Sequence, residues 1–270
     1  MMKPLPLLFS IFLLFLVSCS DLFEYHPNQI RLKPEEKNLT AFYLRQLAGQ
    51  SPGDTLRILV MGDTQRFYDE TVDFVHKANS FPDIDFVIHL GDISDFGMSR
   101  EFRWVHDIMK DLRWPYLTVI GNHDLLGNAR KVYAEMYGDL NYAFTYGHTK
   151  FVFLDTNGRE YGFNGNIPNL EWLENELRPA AGENWNQAIV VSHIPPFDSD
   201  FDPELEMDFH RALASSGRVP LSLHGHQHGW SSEKAYDDDV LYHVTTTVKR
   251  RGFTYLKVWD QGYSVEKIAY

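Results

Sequence analysis

The sequence predicts an α/β layered sandwich with a largely antiparallel closing portion. Three observations predict it: short apolar runs alternate with helix-spaced apolar sets through the first half, several runs are continuous rather than alternating, as suits strands buried on both faces, and strands dominate the end of the chain. The runs fall at 56–61, 86–90, 116–120, 151–154, 188–191, 221–223, 241–246, 254–259 and 264–269. Between them lie helical sets: Phe102, Val105, Met109 and Leu112; Ala129, Val132, Tyr133 and Met136; and Leu170, Leu173 and Leu177, the last opened by Pro168-Asn169.

The segment ahead of the first run is different in kind. Residues 1–6 carry a single charge, Lys3, and 7–17 are apolar apart from Ser10. That stretch is too short for a helix across a bilayer, which needs about 20 residues, and suits the core of a signal peptide. It runs into Leu16-Val17-Ser18-Cys19, which resembles the lipobox of bacterial lipoproteins, where the chain is cut before a lipid-bearing cysteine. An ordinary signal peptide with a coincidental cysteine is the other reading. We expect a leader over 1–18, a tether with one short helix over 19–53 (Leu39, Phe42, Tyr43 and Leu47 on one face), and the main domain over 54–270. The resemblance implies anchorage to the membrane through lipidated Cys19, in the bacterial cell envelope, on its periplasmic face or at the cell surface.

Composition sets bounds. Of 270 residues, 44% are hydrophobic and 14% aromatic, enough for one well-buried core and unlike a disordered chain. Cys19 is the only cysteine, which excludes an internal disulfide and a cysteine-based zinc site; any metal must rest on Asp, Asn, Gln and His. The formal net charge of −12 argues against non-specific nucleic-acid binding but not against an anionic substrate, because bound cations invert the local field.

The apolar runs are most informative at their carboxyl ends. Run 56–61 ends in Gly62-Asp63-Thr64-Gln65, 86–90 in Gly91-Asp92, 116–120 in Gly121-Asn122-His123-Asp124, 188–191 in Ser192-His193, and 221–223 in His224-Gly225-His226-Gln227-His228. Five buried strands thus deliver Asp, Asn or His at the edge where α/β sheets bind ligands. The glycines before Asp63, Asp92, Asn122 and His226 remove a side chain where backbone turns tightly beside the site.

In this order and approximate spacing, the motifs resemble those of the calcineurin-like metallophosphoesterases, from about Leu56 to His228. The resemblance implies a four-layer αββα sandwich and a site holding two divalent or trivalent metal ions (Mn, Fe or Zn). It implies that Asp92 bridges the ions, that Asp63, Gln65 and His228 complete one site, and that Asn122, His193 and His226 complete the other. Gln65 stands where the family pattern usually has histidine; it could ligate through its amide oxygen, bind through water, or leave a position empty. His123 would face the scissile phosphate as proton donor or transition-state stabiliser, with Asp124 orienting its imidazole.

Other residues carry two readings each. Asp155 lines the pocket or caps a turn; Asp95 backs the site or caps the Phe102 helix. Arg66 and Lys249-Arg250-Arg251 hold substrate charge or form a solvated face. His224 reads as a strand residue, His89, His148 and His243 as structural, and Trp104, Trp114, Trp172 and Trp185 as packing. Segments 161–169 and 197–205 are candidate pocket walls. Two functions compete: a hydrolase acting on phosphorylated small-molecule or envelope substrates, and a non-catalytic metal-binding or scaffold module, whose best support is Gln65.

Overall fold

The computed structural model describes residues 29–270; the expected leader and Cys19 lie outside the described residues. In chain order the helices are α1 (Leu39–Ala48), α2 (Tyr68–Ala78), α3 (Ser99–Met109), α4 (Ala129–Met136), α5 (Leu170–Leu177) and α6 (Glu206–Ser215). The strands are β1 (Thr55–Met61), β2 (Phe86–His89), β3 (Tyr116–Thr118), β4 (Tyr142–Tyr146), β5 (Thr149–Leu154), β6 (Gln187–Ser192), β7 (Leu221–His224), β8 (Ser231–Glu233), β9 (Leu241–Val244), β10 (Gly252–Trp259) and β11 (Gly262–Ala269).

They form a five-stranded sheet, β11-β10-β1-β2-β3, and a six-stranded sheet, β4-β5-β6-β7-β9-β8. In the first sheet β1, β2 and β3 run parallel, and β10 and β11 close it antiparallel. In the second, β5, β6, β7 and β9 run parallel between antiparallel edges β4 and β8. The closing portion is therefore less uniformly antiparallel than expected, because β9 joins β7 in parallel register.

Side-chain alternation along the second sheet shows why two sheets stack with helices outside. Phe151 and Phe153 of β5, Ile189 and Val191 of β6, and Leu221 and Leu223 of β7 join the core shared with the first sheet. Their neighbours Val152, Leu154, Ala188 and Val190 pack instead with Leu173 and Leu177 of α5 and Phe209 and Leu213 of α6. Between the sheets, Phe86 of β2 meets Phe151 edge-on at 5.2 Å between ring centroids. Phe74 of α2, Phe102, Val105 and Met109 of α3, and Val132, Tyr133 and Met136 of α4 are buried in the same core as the first sheet. This is the four-layer αββα arrangement, and the continuous runs are continuous because both faces of β1, β2, β5 and β6 are covered.

The differences from expectation have physical causes. In α1 Leu39, Tyr43 and Leu47 are buried, Tyr43 against Tyr116 at 4.8 Å, but Phe42 is 45% exposed: it precedes Tyr43 by one position and so lies about 100° away around the helix. Strands β4 and β8 escape the apolar-run criterion because both are edges, β8 reading Ser-Ser-Glu. Trp104 is 46% exposed, against Tyr68 and under the Arg100 guanidinium, and His148 is an exposed turn residue. Helix α5 starts as its sequence indicates, with the Asn169 side chain accepting from Trp172 N at 3.1 Å.

His243 is fully buried between Ser232 Oγ and Thr254 Oγ1, each at 2.7 Å. Burial lowers its pKa to about 4, against an opposing contribution from the Ser231 backbone. An unfolded chain protonates this imidazole near its ordinary pKa, so its share of stability is complete above about pH 6.5 and is lost as pH falls toward the folded value. In urea unfolding at pH 7 and pH 5, His243→Gln should reduce the acid-induced loss of stability by about 2 kcal/mol relative to the parent. An unchanged difference between the two pH values would contradict this account of His243.

Candidate metal centre

The parallel strands of both sheets end at one edge, and the polar turns meet there. Backbone at this edge is held away from the usual basins: Asp63, Asp92, His226 and His228 have φ of 55, 57, 65 and 55°. For residues with a Cβ this left-handed conformation costs of order 1 kcal/mol each and persists only where the surroundings impose it. Two glycines make the crowding possible. A Cβ on Gly121 would lie 2.2 Å from Asp92 N and 2.3 Å from Asp92 Oδ1, and one on Gly91, itself at φ +91°, would lie 2.7 Å from Gly121 N.

All seven residues expected to be ligands are brought together. A chain of contacts joins them: His228 Nε2 to Asp63 Oδ1 at 3.3 Å, Asp63 Oδ1 to the His226 backbone N–H at 3.2 Å, and His226 Nδ1 to Asn122 Oδ1 at 3.1 Å. It continues from Asn122 Oδ1 to His193 Nε2 at 3.1 Å, His193 Nε2 to Asp92 Oδ1 at 3.4 Å, and Asp92 Oδ2 to Gln65 Nε2 at 3.1 Å. One potential ligand atom from each of Asp63, Asp92 and His193 lies within 4.8 Å of the others.

Hydrogen bonds across the seam fix these side chains. His193 Nδ1 donates to Leu90 O at 2.6 Å; a carbonyl can only accept, so Nε2 is the nitrogen that faces the site and would offer its lone pair to a cation. Thr247 Oγ1 donates to Asp63 O at 3.1 Å, and Gln65 N donates to Asp92 O at 3.1 Å. Gly91 N donates to His89 Nδ1 at 3.2 Å, which leaves His89 Nε2 to donate to Thr64 Oγ1 at 2.9 Å. His89 is thus structural, buttressing the turn that carries Asp63 and Gln65.

Burial would raise the Asp92 pKa, but the charge and hydrogen bond of His193 outweigh it and hold the carboxyl well below the usual range. Burial would lower His193, and the charge and hydrogen bond of Asp92 raise it in turn. Asp63 Oδ2 and Gln65 Oε1 are buried with no hydrogen-bond partner among the described residues. Buried polar atoms are almost always partnered, and an unpartnered carboxylate oxygen beside a second carboxylate is what a cation site presents. Oxygen and imidazole donors without sulfur fit Mn, Fe or Zn. Gln65 turns its amide nitrogen to Asp92 Oδ2 and leaves its amide oxygen unpartnered.

One expected role is corrected. Asp124 does not touch the His123 imidazole. It is fully buried, and its carboxylate accepts from Ile93 N at 2.9 Å, Ser94 N at 2.8 Å, Ser94 Oγ at 3.0 Å and Gly121 N at 3.1 Å. The 3-10 turn His123–Leu125 sends adjacent side chains to different sides, so Asp124 points inward and His123 outward. His123 Nδ1 instead donates to Asp95 O at 2.9 Å, with Asp95 Oδ1 at 3.8 Å. Asp95 therefore backs the site and is not the cap of α3, whose entry is held by Glu101 accepting from Phe96 N and Met98 N.

Arg66 pairs with Asp95 beside His123, whereas Lys249 lies over the Phe67 ring and Arg251 pairs with Asp73. Asp155 is buried and organises the turn after β5, accepting from Asn157 N at 3.0 Å and Tyr161 OH at 2.9 Å. His224 bonds Ser192 Oγ at 3.0 Å and is outside the ligand set. Asp198 and Asp200, unremarked in the sequence beyond a candidate pocket wall, approach His226 Nε2 at 3.6 and 3.5 Å. Nothing in their local sequence marks them, because the contact spans loops far apart in the chain.

The family model described as Calcineurin-like phosphoesterase matches residues 56–230. A protein of Xenorhabdus bovienii named "Probable cyclic nucleotide phosphodiesterase" is 28% identical over 131 residues, 47% of this chain and 52% of its own length. The glycerophosphodiester phosphodiesterase of Enterobacter lignolyticus is 28% identical over 158 residues, 53% of this chain and 56% of its own. The chain thus spans about half the length of these curated relatives. In fold it is similar to a purple acid phosphatase of yellow lupin, with a TM-score of 0.63 and 15% identity over 82% of this chain and 52% of that one.

Because Asp124 satisfies three backbone N–H groups in the interior, Asp124→Ala should destabilise the fold by about 3 kcal/mol or more, whereas His123→Ala should change stability by less than about 1 kcal/mol. Chemical denaturation of both variants checks this; equal effects would refute the assignment of Asp124 to structure and His123 to the open site.

Proposed function

The chain belongs to the calcineurin-like phosphoesterases, and from that membership we propose that it hydrolyses phosphate esters with two metal ions held at the seam between the sheets. The observation that carries the reading is the buried cluster of Asp63, Asp92 and His193 with the unpartnered oxygens of Asp63 and Gln65. Asp63, Gln65, Asp92 and His228 would hold one ion, and Asp92, Asn122, His193 and His226 the other. Bound there, the ions supply positive charge to the phosphoryl oxygens and lower the pKa of nearby water.

The chain's own residues supply the rest. His123 Nδ1–H is fixed on Asp95 O, which leaves Nε2 free for the substrate side. The Asp95 carboxylate, 3.8 Å from Nδ1, complements the positive charge of an imidazolium that gives its Nε2 proton to a leaving group. The phosphodiesterase names of two relatives support phosphodiesters as the substrate class, with monoesters as the comparison. We also propose that Cys19 carries a lipid anchor in a bacterial envelope membrane; its support is the apolar run ending in Leu16-Val17-Ser18-Cys19.

Assay of the Mn-loaded protein with bis(p-nitrophenyl) phosphate and p-nitrophenyl phosphate should show chelator-sensitive turnover, faster on the diester. His123→Ala should lower kcat by about 10²- to 10⁴-fold while two ions remain bound. Inertness of the loaded protein on both esters and on a nucleotide panel would favour a non-catalytic scaffold. In a bacterial host, metabolic labelling with a fatty acid should mark the parent and not Cys19→Ala; an unlabelled parent retaining Met1 would remove the anchor.

A further inference from the structure

The two histidines that would serve the second ion need opposite nitrogens. His193 faces Asn122 Oδ1 with Nε2, and His226 faces the same oxygen with Nδ1, both at 3.1 Å. A metal-ligating imidazole must present a lone pair, so its proton must sit on the far nitrogen, and that nitrogen needs an acceptor. For His193 the acceptor is Leu90 O at 2.6 Å from Nδ1. For His226 the far nitrogen is Nε2, and the groups facing it are the carboxylates of Asp198 and Asp200, at 3.6 and 3.5 Å.

Those carboxylates are themselves held. Asp198 Oδ2 accepts from Gln227 Nε2 at 2.9 Å, and Asp198 Oδ1 accepts from Asp200 N at 3.1 Å. Asp200 Oδ1 pairs with Arg159 at 2.5 Å, while Arg159 N donates to Asp200 O at 3.0 Å. The loop carrying Arg159 is pressed onto the loop carrying the aspartates at Gly158, where a Cβ would come 2.6 Å from Asp202 N. The two aspartate side chains are largely buried, 17 and 13% exposed.

We propose that Asp198 and Asp200 are positioning residues for the second metal: they hold the proton of His226 on Nε2 and aim Nδ1 at the ion. The inference rests on the two-ion reading above. It assigns to the loop after β6 a part in metal affinity rather than only in the pocket wall. His228 has no such arrangement, since its Nε2 lies on Asp63 and its side chain is 44% exposed; only the second ion should depend on the pair.

Calorimetric titration of the chelator-treated full chain with Mn²⁺, with electron paramagnetic resonance at two equivalents, tests this. The parent should bind two ions per chain with a spin-coupled spectrum. Asp198→Asn/Asp200→Asn should weaken the second ion by about 10- to 100-fold, leave the first within about twofold, and shift the spectrum toward isolated Mn²⁺. The single variants Asp198→Asn and Asp200→Asn, each leaving one carboxylate facing Nε2, should lose less than the double. Two ions bound equally by parent, single and double variants would overturn the proposal and leave the two-ion reading standing. A third ion in the parent, lost in the double variant, would overturn it in favour of the aspartates as direct ligands. A parent that binds no ion would overturn both readings.

Discussion

Two carboxylates are buried within reach of one another where two sheets meet, and much of the molecule's local geometry serves to make that tolerable. Carboxylates out of water are costly unless each is paired. Here Asp92 is paired with His193 and accepts from the His123 backbone N–H at 3.0 Å, and Asp63 takes the His226 N–H and the His228 imidazole. The pairing partners of each come from the other sheet or from loops attached to either. The seam is therefore both the site and a main polar tie between the sheets, and disrupting one disrupts the other.

That constraint explains why unfavourable backbone is concentrated at one edge. Left-handed conformations at Asp63, Asp92, His226 and His228 let a strand end and turn its next side chain sideways instead of continuing along the sheet. Gly91 and Gly121 take the places where any side chain would occupy the volume of Asp92 or His193. The apolar remainder of each strand packs on both faces, and its burial offsets the strain collected at the tips.

The layers and the polar strand ends were legible in the sequence because both follow local rules. Continuous apolar runs mark strands covered on both faces, and a polar residue just after such a run has one place to go. Thus the gathering of Asp63, Asp92, Asn122, His193 and His226 at one sheet edge could be read from position, while their expected metal roles came from the family resemblance. The features that escaped depend on direction or on distant partners. The inward turn of Asp124 comes from a single tight 3-10 turn that its Gly-Asn-His-Asp frame does not reveal. Asp95 reaches His123 through its backbone carbonyl, which carries no residue signature. Edge strands β4 and β8 lack the two-sided burial that made the others visible, and Phe42 fell off the apolar face by a single helical step.

The segment Val248–Arg250 and the strand after it have a bearing on how the molecule comes into being. Val248 N–H donates to Gly62 O, Thr247 Oγ1 to Asp63 O and Thr245 Oγ1 to Val60 O, while β10 lies beside β1 along six register pairs from Thr55 to Val60. The seven metal-ligand candidates end at His228, yet the turn bearing the first of them is braced by Thr247, 184 positions downstream of Asp63. A chain ending at His228 would own every candidate donor atom and still lack the brace. The turn that carries Asp63 thus takes its final support from the last part of the sheet to be added.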